Sequence, residues 1–211
     1  FGNIGAPLFN AGERGINVKI VASMSYYPSN PATLSPAPII MRKALEGSVS
    51  SLGDLKGRKI AFNTRGGVIE YLVGGAARRN GLSVSDFDVV TMAFPNMPAA
   101  LTNGAIDAAV MPEPLATSAL QQGVGVVLDR NPLPGALGTV LIFGPSLLEE
   151  PGGDKAARVL RALRKAASEL TAPERIMSAE NVAIWAKYSE LPPDRKSTRL
   201  NSSHITNLVC R

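Results

Sequence analysis

The residues best suited to bind a small molecule lie in three short loops, each placed where an apolar run gives way to a helical pattern. The first loop consists of Asn63, Thr64, Arg65, Gly66 and Gly67. Glycines let the backbone approach a ligand closely, and the free N–H groups of the helix that follows favour an anion. The Arg65 guanidinium can add a charge-assisted hydrogen bond to a carboxylate, sulfonate or nitrate. The alternative is that the two glycines only form a tight turn.

The second and third loops each contribute one polar side chain. Asn96 and Met97 stand at the start of a predicted helix, where the Asn96 amide either binds a ligand or caps that helix. In the third loop, Pro112 and Pro114 flank Glu113 and fix the backbone around it. The Glu113 carboxylate can bind an amine, act as a general base or bridge two lobes. Because no second carboxylate or histidine lies near it in sequence, catalysis is the least favoured of these roles.

One aromatic residue is a further candidate for ligand contact, whereas histidine and cysteine are almost absent. Tyr26 follows a predicted strand, so its ring either lines a ligand pocket or packs on a surface loop. The only histidine, His204, and the only cysteine, Cys210, lie near the C-terminus. The body of the chain therefore offers no Ser-His-Asp triad, Cys-His pair or Cys/His metal site. We predict no catalytic residue, no metal and no cofactor.

Composition and the two ends of the sequence restrict the class of protein. The 211 residues are 45% hydrophobic and 18% charged, which is sufficient for a sizeable core. Residues 194–204, DRKSTRLNSSH, match one reading frame of a common sequencing adapter, so we expect 194–211 not to be native. That segment carries +3 of the formal net charge of +5, which leaves +2 and no basis for a nucleic-acid partner. Because the chain begins at Phe1 without a methionine, we also expect an N-terminal part to be missing.

Hydrophobic patterning predicts the elements that position the three loops. Apolar runs rich in β-branched residues indicate strands, and amphipathic stretches that end at glycine indicate helices. The predicted strands are residues 16–22, 58–62, 88–92, 107–111, 125–128 and 139–143, and the predicted helices are 68–80, 97–103, 114–122, 155–170 and 178–188. This alternation implies βαβ units and a mainly parallel sheet. Ligands bind such sheets beyond the carboxyl ends of the strands, which is where the three loops lie.

Four stretches follow one another in an order typical of one family. They are SLGDLKGRKI (residues 51–60), the small-residue turn 64–67, AALTNGAIDA (residues 99–108), and Glu113-Pro114 followed by Ala119 and Gly123. The order and spacing of these stretches resemble the substrate-binding proteins of ABC importers. The resemblance is to the nitrate, sulfonate and taurine branch, which includes binders of thiamine precursors.

The resemblance implies an α/β, periplasmic-binding-protein-like type II fold. Such a fold has two lobes with mainly parallel sheets, joined by two hinge strands. The first lobe would comprise residues 1–46 and 139–193, without its N-terminal part, and the second lobe residues 47–138. The hinge crossings are expected near residues 39–42 and 139–143.

The resemblance also implies a function. The protein would be the periplasmic or lipid-anchored solute-binding component of an ABC importer, with an ABC permease and its ATPase as partners. As a monomer, it would bind a small anionic or zwitterionic ligand by closure of its two lobes, a mechanism that needs no enzyme activity. One alternative is an enzyme of the same fold that resembles hydroxymethylpyrimidine-phosphate synthases, although those depend on a site that contains histidine. Another alternative is a cytosolic ligand-sensing effector domain, which a helix-turn-helix region would precede.

Overall fold

The computed structural model describes residues 2–3, 5–149, 151–171 and 178–189, so the expected non-native segment 194–211 lies outside it. The chain divides into two compact units. Unit 1 takes its described residues from Phe1–Tyr26 and Leu137–Arg211, and unit 2 is Tyr27–Ala136. None of the helices in the described ranges combines the length and the apolar character that crossing a membrane requires.

The helices and strands follow the order that the patterning predicts, with a few additions. In chain order they are β1 (Gly2–Asn3), α1 (Ala6–Glu13), β2 (Lys19–Tyr26), β3 (Ile39–Arg42), β4 (Lys59–Phe62), α2 (Val68–Arg79), β5 (Asp88–Thr91), α3 (Met97–Thr102), β6 (Ala108–Val110), α4 (Leu115–Gln121), β7 (Gly125–Asp129), β8 (Leu137–Phe143), α5 (Pro145–Leu148), α6 (Asp154–Thr171) and α7 (Ala179–Ser189). Short 3-10 turns span Lys43–Leu45, Leu52–Leu55, Val84–Asp86 and Phe94–Asn96. Helix α1 was not predicted, and none of its residues is buried, so it has no core-facing side.

The sheet of unit 2 has five strands in the order β5-β4-β6-β3-β7. Strand β4 runs parallel to β5 and β6, whereas β3 runs antiparallel to both β6 and β7. The sheet is therefore mixed rather than mainly parallel as we expected. The parallel part, β5-β4-β6, is the part built from strand–helix alternation, since a parallel pair needs a crossover connection.

Strand β3 shows that the first boundary between the units differs from the expected one. We expected residues 27–46 in the first lobe, with a crossing near 39–42. Instead, Ile39–Arg42 forms an interior strand of unit 2, where Ile39 and Ile40 are completely buried. An interior strand satisfies its backbone groups on both sides, which ties it to the sheet of unit 2. The second boundary between the two units lies between Ala136 and Leu137.

Alternation along β4 places a hydrophobic cluster on each face of the sheet of unit 2. Ile60 and Phe62 point to one face and pack in the cluster that contains Leu72 of α2. Ala61, between them in sequence, belongs to the opposite cluster with Leu101 of α3. The two helices therefore cover opposite faces of the sheet, and the loops that precede them emerge at its edge.

Unit 1 contains a three-stranded sheet in the order β1-β8-β2. Its central strand β8 pairs antiparallel with both neighbours, so the described part of this sheet is antiparallel and not mainly parallel. Val140, Leu141 and Phe143 on β8 are buried, whereas Ile20 on β2 is 46% exposed. The buried surface of the unit is thus concentrated on its central strand.

Candidate functional site

The three loops singled out from the sequence lie at one edge of the sheet in unit 2. Strands β5, β4 and β6 are adjacent and parallel, so their carboxyl ends meet at the same edge. The Met92 N–H, just after β5, donates to the Phe62 carbonyl at the end of β4 over 3.2 Å. The structure thereby brings the loops after these strands, residues 63–67, 92–96 and 111–114, to one side of unit 2.

The first loop owes its shape to both of its glycines. Gly66 has a φ of 71°, in the left-handed region that favours glycine. A Cβ on Gly67 would lie 2.9 Å from the Thr64 methyl carbon, so a larger residue would displace Thr64. Asn63 and Thr64 are exposed, and Gly67 is the N-cap of α2, where no side chain caps the helix. The first N–H groups of α2 therefore face this loop.

Arg65 is held by two neighbours at the rim of this loop. Its Nη1 lies 2.9 Å from Oε1 of Glu70, and its Cζ lies 5.5 Å from the centroid of the Phe62 ring. The Gly66 N–H donates to the other oxygen of Glu70. An anionic ligand at this loop would therefore share Arg65 with the Glu70 carboxylate.

Glu70 is a site residue that the sequence analysis missed. Partial burial raises the pKa of Glu70, but the hydrogen bond from Gly66 and the charge of Arg65 outweigh it, so the pKa lies below its ordinary value. The signal was present in the sequence, because an acidic residue in the first turn of a helix is placed to interact with that helix terminus. The carboxylate stays ionised at neutral pH and compensates Arg65.

The second loop separates the roles of Asn96 and Met97. Asn96 occupies the N-cap of α3 and is exposed, and its side chain makes no capping hydrogen bond in the described structure. Its amide is therefore available to a ligand. Met97 has no exposed surface and packs among Ile40 and Ala61, while its N–H donates to the Phe94 carbonyl. We correct the expected ligand contact of Met97 to a packing role, because a fully buried side chain does not reach a ligand from solvent.

Glu113 in the third loop is bound to the start of α4. Thr117 Oγ1 donates to the Glu113 carboxylate at 2.7 and 2.8 Å from its two oxygens, and the Thr117 N–H lies 3.3 Å from Oε2. The Glu113 N–H donates to the Pro36 carbonyl at 2.9 Å. The side chain is half-buried, so part of the carboxylate remains accessible. Thr117 was also missed, although a hydroxyl four residues after a carboxylate at a helix start is a recognisable capping pattern.

Tyr26 lies in a different unit from the other candidate residues. It is the last residue of β2 in unit 1, where it pairs with Leu137 and is 40% exposed. Its neighbour Tyr27 begins unit 2 and is buried, which raises the pKa of Tyr27 to about 12. Tyr26 is thus a strand residue rather than the loop residue we expected.

The described residues hold no grouping of three or more His, Cys, Asp or Glu side chains suited to a metal ion. What the site of unit 2 offers instead is one guanidinium, two carboxylates and two exposed amides. These groups can form charge-assisted and neutral hydrogen bonds with a small polar molecule.

Comparison with known proteins identifies one family and a set of similar structures. The sequence model of the NMT1-like family matches residues 9–182. The periplasmic aliphatic sulphonate-binding protein SsuA of Escherichia coli has a TM-score of 0.71 and 23% identity, over 95% of this chain and 64% of that one. SsuA of Xanthomonas axonopodis pv. citri, an alkanesulfonate-binding protein bound to MOPS, has a TM-score of 0.71 and 23% identity, over 93% and 63% of the two chains.

A third similar structure is the periplasmic nitrate-binding protein NrtA of Synechocystis PCC 6803. Its TM-score is 0.65 at 17% identity, over 94% of this chain and 54% of that one. No curated protein matches the sequence significantly. The structural matches confirm the α/β fold of periplasmic binding proteins that the sequence motifs implied. The chain spans less than two thirds of the length of these three proteins.

Proposed function

Because this chain belongs to the NMT1-like family, we propose that it is the solute-binding component of an ABC importer and acts outside the cytoplasm. The observation that carries the proposal is the meeting of three polar loops at the carboxyl edge of β5-β4-β6. The fold is that of proteins described as periplasmic binders of sulfonates and nitrate. An ABC permease and its ATPase are the proposed partners, and the protein itself performs no chemical reaction.

The charges at the three loops support a ligand that carries both signs of charge, or a single anionic group. Arg65 is the only cation within the three loops, and Glu113 is the only anion. Glu70, in the first turn of α2, forms an ion pair with Arg65. An anionic group of the ligand would bind Arg65 and the amides of Asn63 and Asn96. A cationic group, if the ligand has one, would bind the accessible part of the Glu113 carboxylate. We therefore place an aminosulfonate such as taurine first, ahead of nitrate.

The proposed mechanism is binding followed by closure of the protein over the ligand. Closure removes water from the polar contacts, which strengthens them, and creates the form that a permease recognises. The ligand drives closure only to the extent that it binds the closed form more tightly than the open form. This mechanism uses the loops for hydrogen bonding and requires neither a nucleophile nor a general base.

A calorimetric titration of the full-length protein tests the proposal. The ligands are taurine, an alkanesulfonate, nitrate and a pyrimidine thiamine precursor, each injected into protein freed of bound solutes by unfolding and refolding. We expect saturable binding of at least one ligand at one site per chain, and recovery of that ligand unchanged. If none of the four binds, or if the bound compound is converted into a product, the proposal fails.

A further inference from the structure

Asn131 is a completely buried polar side chain outside the three loops. It follows β7 in unit 2 and is 1% exposed. Its Nδ2 donates to the Pro28 carbonyl at 2.7 Å and to the Asn30 carbonyl at 3.2 Å. Burial of an amide is unfavourable unless its hydrogen bonds are made, so these two bonds are the reason an asparagine is stable here.

The two bonds hold a stretch of chain that has no regular structure of its own. Residues 27–37 contain no helix or strand, and Asn131 binds the beginning of this segment. Further along, the Arg130 side chain donates to the Ala32 carbonyl at 3.0 Å, and the Ser35 N–H donates to the Arg130 carbonyl at 2.7 Å. Residues 130 and 131 therefore bind the segment at successive points.

Hydrogen bonds of the same segment also join the beginning of unit 2 to its end. The Tyr27 N–H donates to the Ala136 carbonyl at 2.7 Å, and the Gly135 N–H donates to the Pro28 carbonyl at 3.1 Å. Pro28 thus accepts hydrogen bonds from both Asn131 and Gly135. Asn131 lies where the chain that begins unit 2 meets the chain that ends it.

The far end of the segment reaches the third ligand loop. Ser35 has no exposed surface, and its hydroxyl accepts from the Ala37 N–H at 3.2 Å. Pro36, between them, presents the carbonyl that accepts from the Glu113 N–H at 2.9 Å. A displacement of the segment would therefore move the backbone partner of Glu113.

We propose that Asn131 is a positioning residue for the ligand site. Its amide holds residues 27–37 in place, and through the Pro36 carbonyl this fixes the backbone at Glu113. The importance of this contact for binding rests on the proposed function, whereas the contact itself does not.

The two hydrogen bonds from Asn131 require N–H donors, so a side chain of the same shape without these donors would not form them. Two carbonyl oxygens face Nδ2, so a carboxylate of the same size would bring a negative charge against both. The other amide atom, Oδ1, is buried and has no hydrogen-bond partner within the described structure. Two charged groups contact residue 131: the Arg79 Nη2 lies 3.4 Å from its main-chain carbonyl oxygen, and its N–H donates to Asp129 Oδ1 at 2.9 Å. Arg79 is already paired with Asp129, so a carboxylate at position 131 would share that one cation and would be repelled by the Asp129 charge.

The test compares Asn131→Asp and Asn131→Leu with the control Asn80→Asp in the full-length, ligand-free protein. Asn80 also donates from Nδ2 to a backbone carbonyl in unit 2, that of Ala76 at 2.9 Å, but it is exposed at the end of α2. The measurement is amide hydrogen exchange at Ser35 and Glu113, expressed as protection relative to the free peptide at each pH.

We expect Asn131→Asp to reduce protection at Ser35 and Glu113 by about tenfold at neutral pH, while amides of β4 keep theirs. We expect burial and the neighbouring Asp129 charge to outweigh Arg79 and to raise the pKa of a carboxyl at this position, so that its protonated form regains one donor on acidification. The lost protection should therefore return as the pH falls. Asn131→Leu should show the loss without the pH dependence, and Asn80→Asp should leave both amides unchanged.

Two results would overturn the proposal. One is wild-type protection at Ser35 and Glu113 in both Asn131 variants, and the other is an equal loss of protection in β4, which would indicate a role in global stability only. If Asn131→Asp does not fold, Asn131→Ser, which keeps one donor, should give an intermediate loss. A failure of the wild-type protein to bind any of the four ligands would remove the proposed function and leave the exchange result standing.

Discussion

Arg65 lies between the ring of Phe62 at 5.5 Å and the carboxylate of Glu70 at 2.9 Å. These contacts hold its guanidinium between the end of β4 and the first turn of α2. More than half of the Arg65 side chain is exposed, so the ion pair by itself contributes less than about 1 kcal/mol to stability. At the scale of single residues, the contacts of Arg65 therefore matter for orientation more than for folding.

Arg65→Ala tests the contribution of this cation to ligand binding. A charge-assisted hydrogen bond contributes about 1.5–3 kcal/mol, so affinity for a sulfonate or nitrate should fall by roughly 10- to 150-fold. The measurement is calorimetric titration of the wild type and the variant with the same ligand. Arg78→Ala, which removes an exposed arginine near the other end of α2, is the control and should bind normally. Unchanged affinity in Arg65→Ala would show that the anion binds elsewhere.

Glu70→Gln tests whether Glu70 competes with an anionic ligand for Arg65. Removal of the charge should strengthen nitrate binding at neutral pH by about two- to fivefold, since an exposed ion pair is worth less than about 1 kcal/mol. The pKa of Glu70 is lowered in the folded protein, so its competition is complete above the ordinary value of 4.5 and is lost as the pH falls through the folded value. Titrations at several pH values should show that the nitrate affinities of the wild type and of Glu70→Gln become equal at acidic pH. Weaker nitrate binding in the variant would contradict this role.

At the scale of elements, two adjacent glycines of α2 show how closely this helix is packed. A Cβ on Gly75 would lie 2.5 Å from a Leu133 methyl carbon, whereas a Cβ on Gly74 would lie 3.4 Å from a Val84 methyl carbon. Gly75 therefore permits the contact between α2 and the chain that follows β7. No neighbour lies too close for a side chain at position 74, so the main effect of Gly74 is to lower the helix propensity of α2.

The matched pair Gly75→Ala and Gly74→Ala tests this packing. We expect Gly75→Ala to lower the free energy of unfolding by about 1–3 kcal/mol through overpacking. Gly74→Ala should raise it by about 0.5–1 kcal/mol, because alanine restricts the unfolded chain and favours the helix. Urea denaturation followed by circular dichroism measures both. Equal effects of the two substitutions would mean that Leu133 moves aside without loss.

The elements also show what local sequence patterns encode. Strand β4 and helix α2 lie within one residue of their predicted bounds, because a β-branched apolar run and an amphipathic stretch that ends before Gly81 are local signals. Strand β3 was not among the predicted strands, and residues 39–42 were expected only as a crossing between the lobes. Its position depends on pairing with β6 and β7, whose residues lie about 70 to 90 positions later in the chain. Local patterns do not specify which distant strands will be partners.

At the scale of the whole molecule, the proposal of closure predicts a change in dimensions on binding. Small-angle X-ray scattering of the full-length protein should show a smaller radius of gyration at saturating ligand than without it. At a ligand concentration about ten times the wild-type Kd, Arg65→Ala should give a radius closer to the ligand-free value, because its lower affinity leaves about half or more of the variant unbound. An identical radius with and without ligand, at a concentration where calorimetry shows saturation, would exclude closure.

Local sequence patterns were sufficient to predict the order and type of nearly all elements, the three loops and the family motifs, because periodicity, glycine positions and spacing are local properties. They also placed Asn63, Thr64, Arg65, Gly66, Gly67, Asn96 and Glu113 beyond the ends of parallel strands, which the topology brings to one edge. The folded structure was needed to show that Met97 is buried, that Glu70 pairs with Arg65 and that Tyr26 belongs to the other unit. It alone joined Asn131 to Pro28, 103 positions earlier in the chain. Such contacts depend on how the elements pack, and a one-dimensional pattern of residue types does not contain that information.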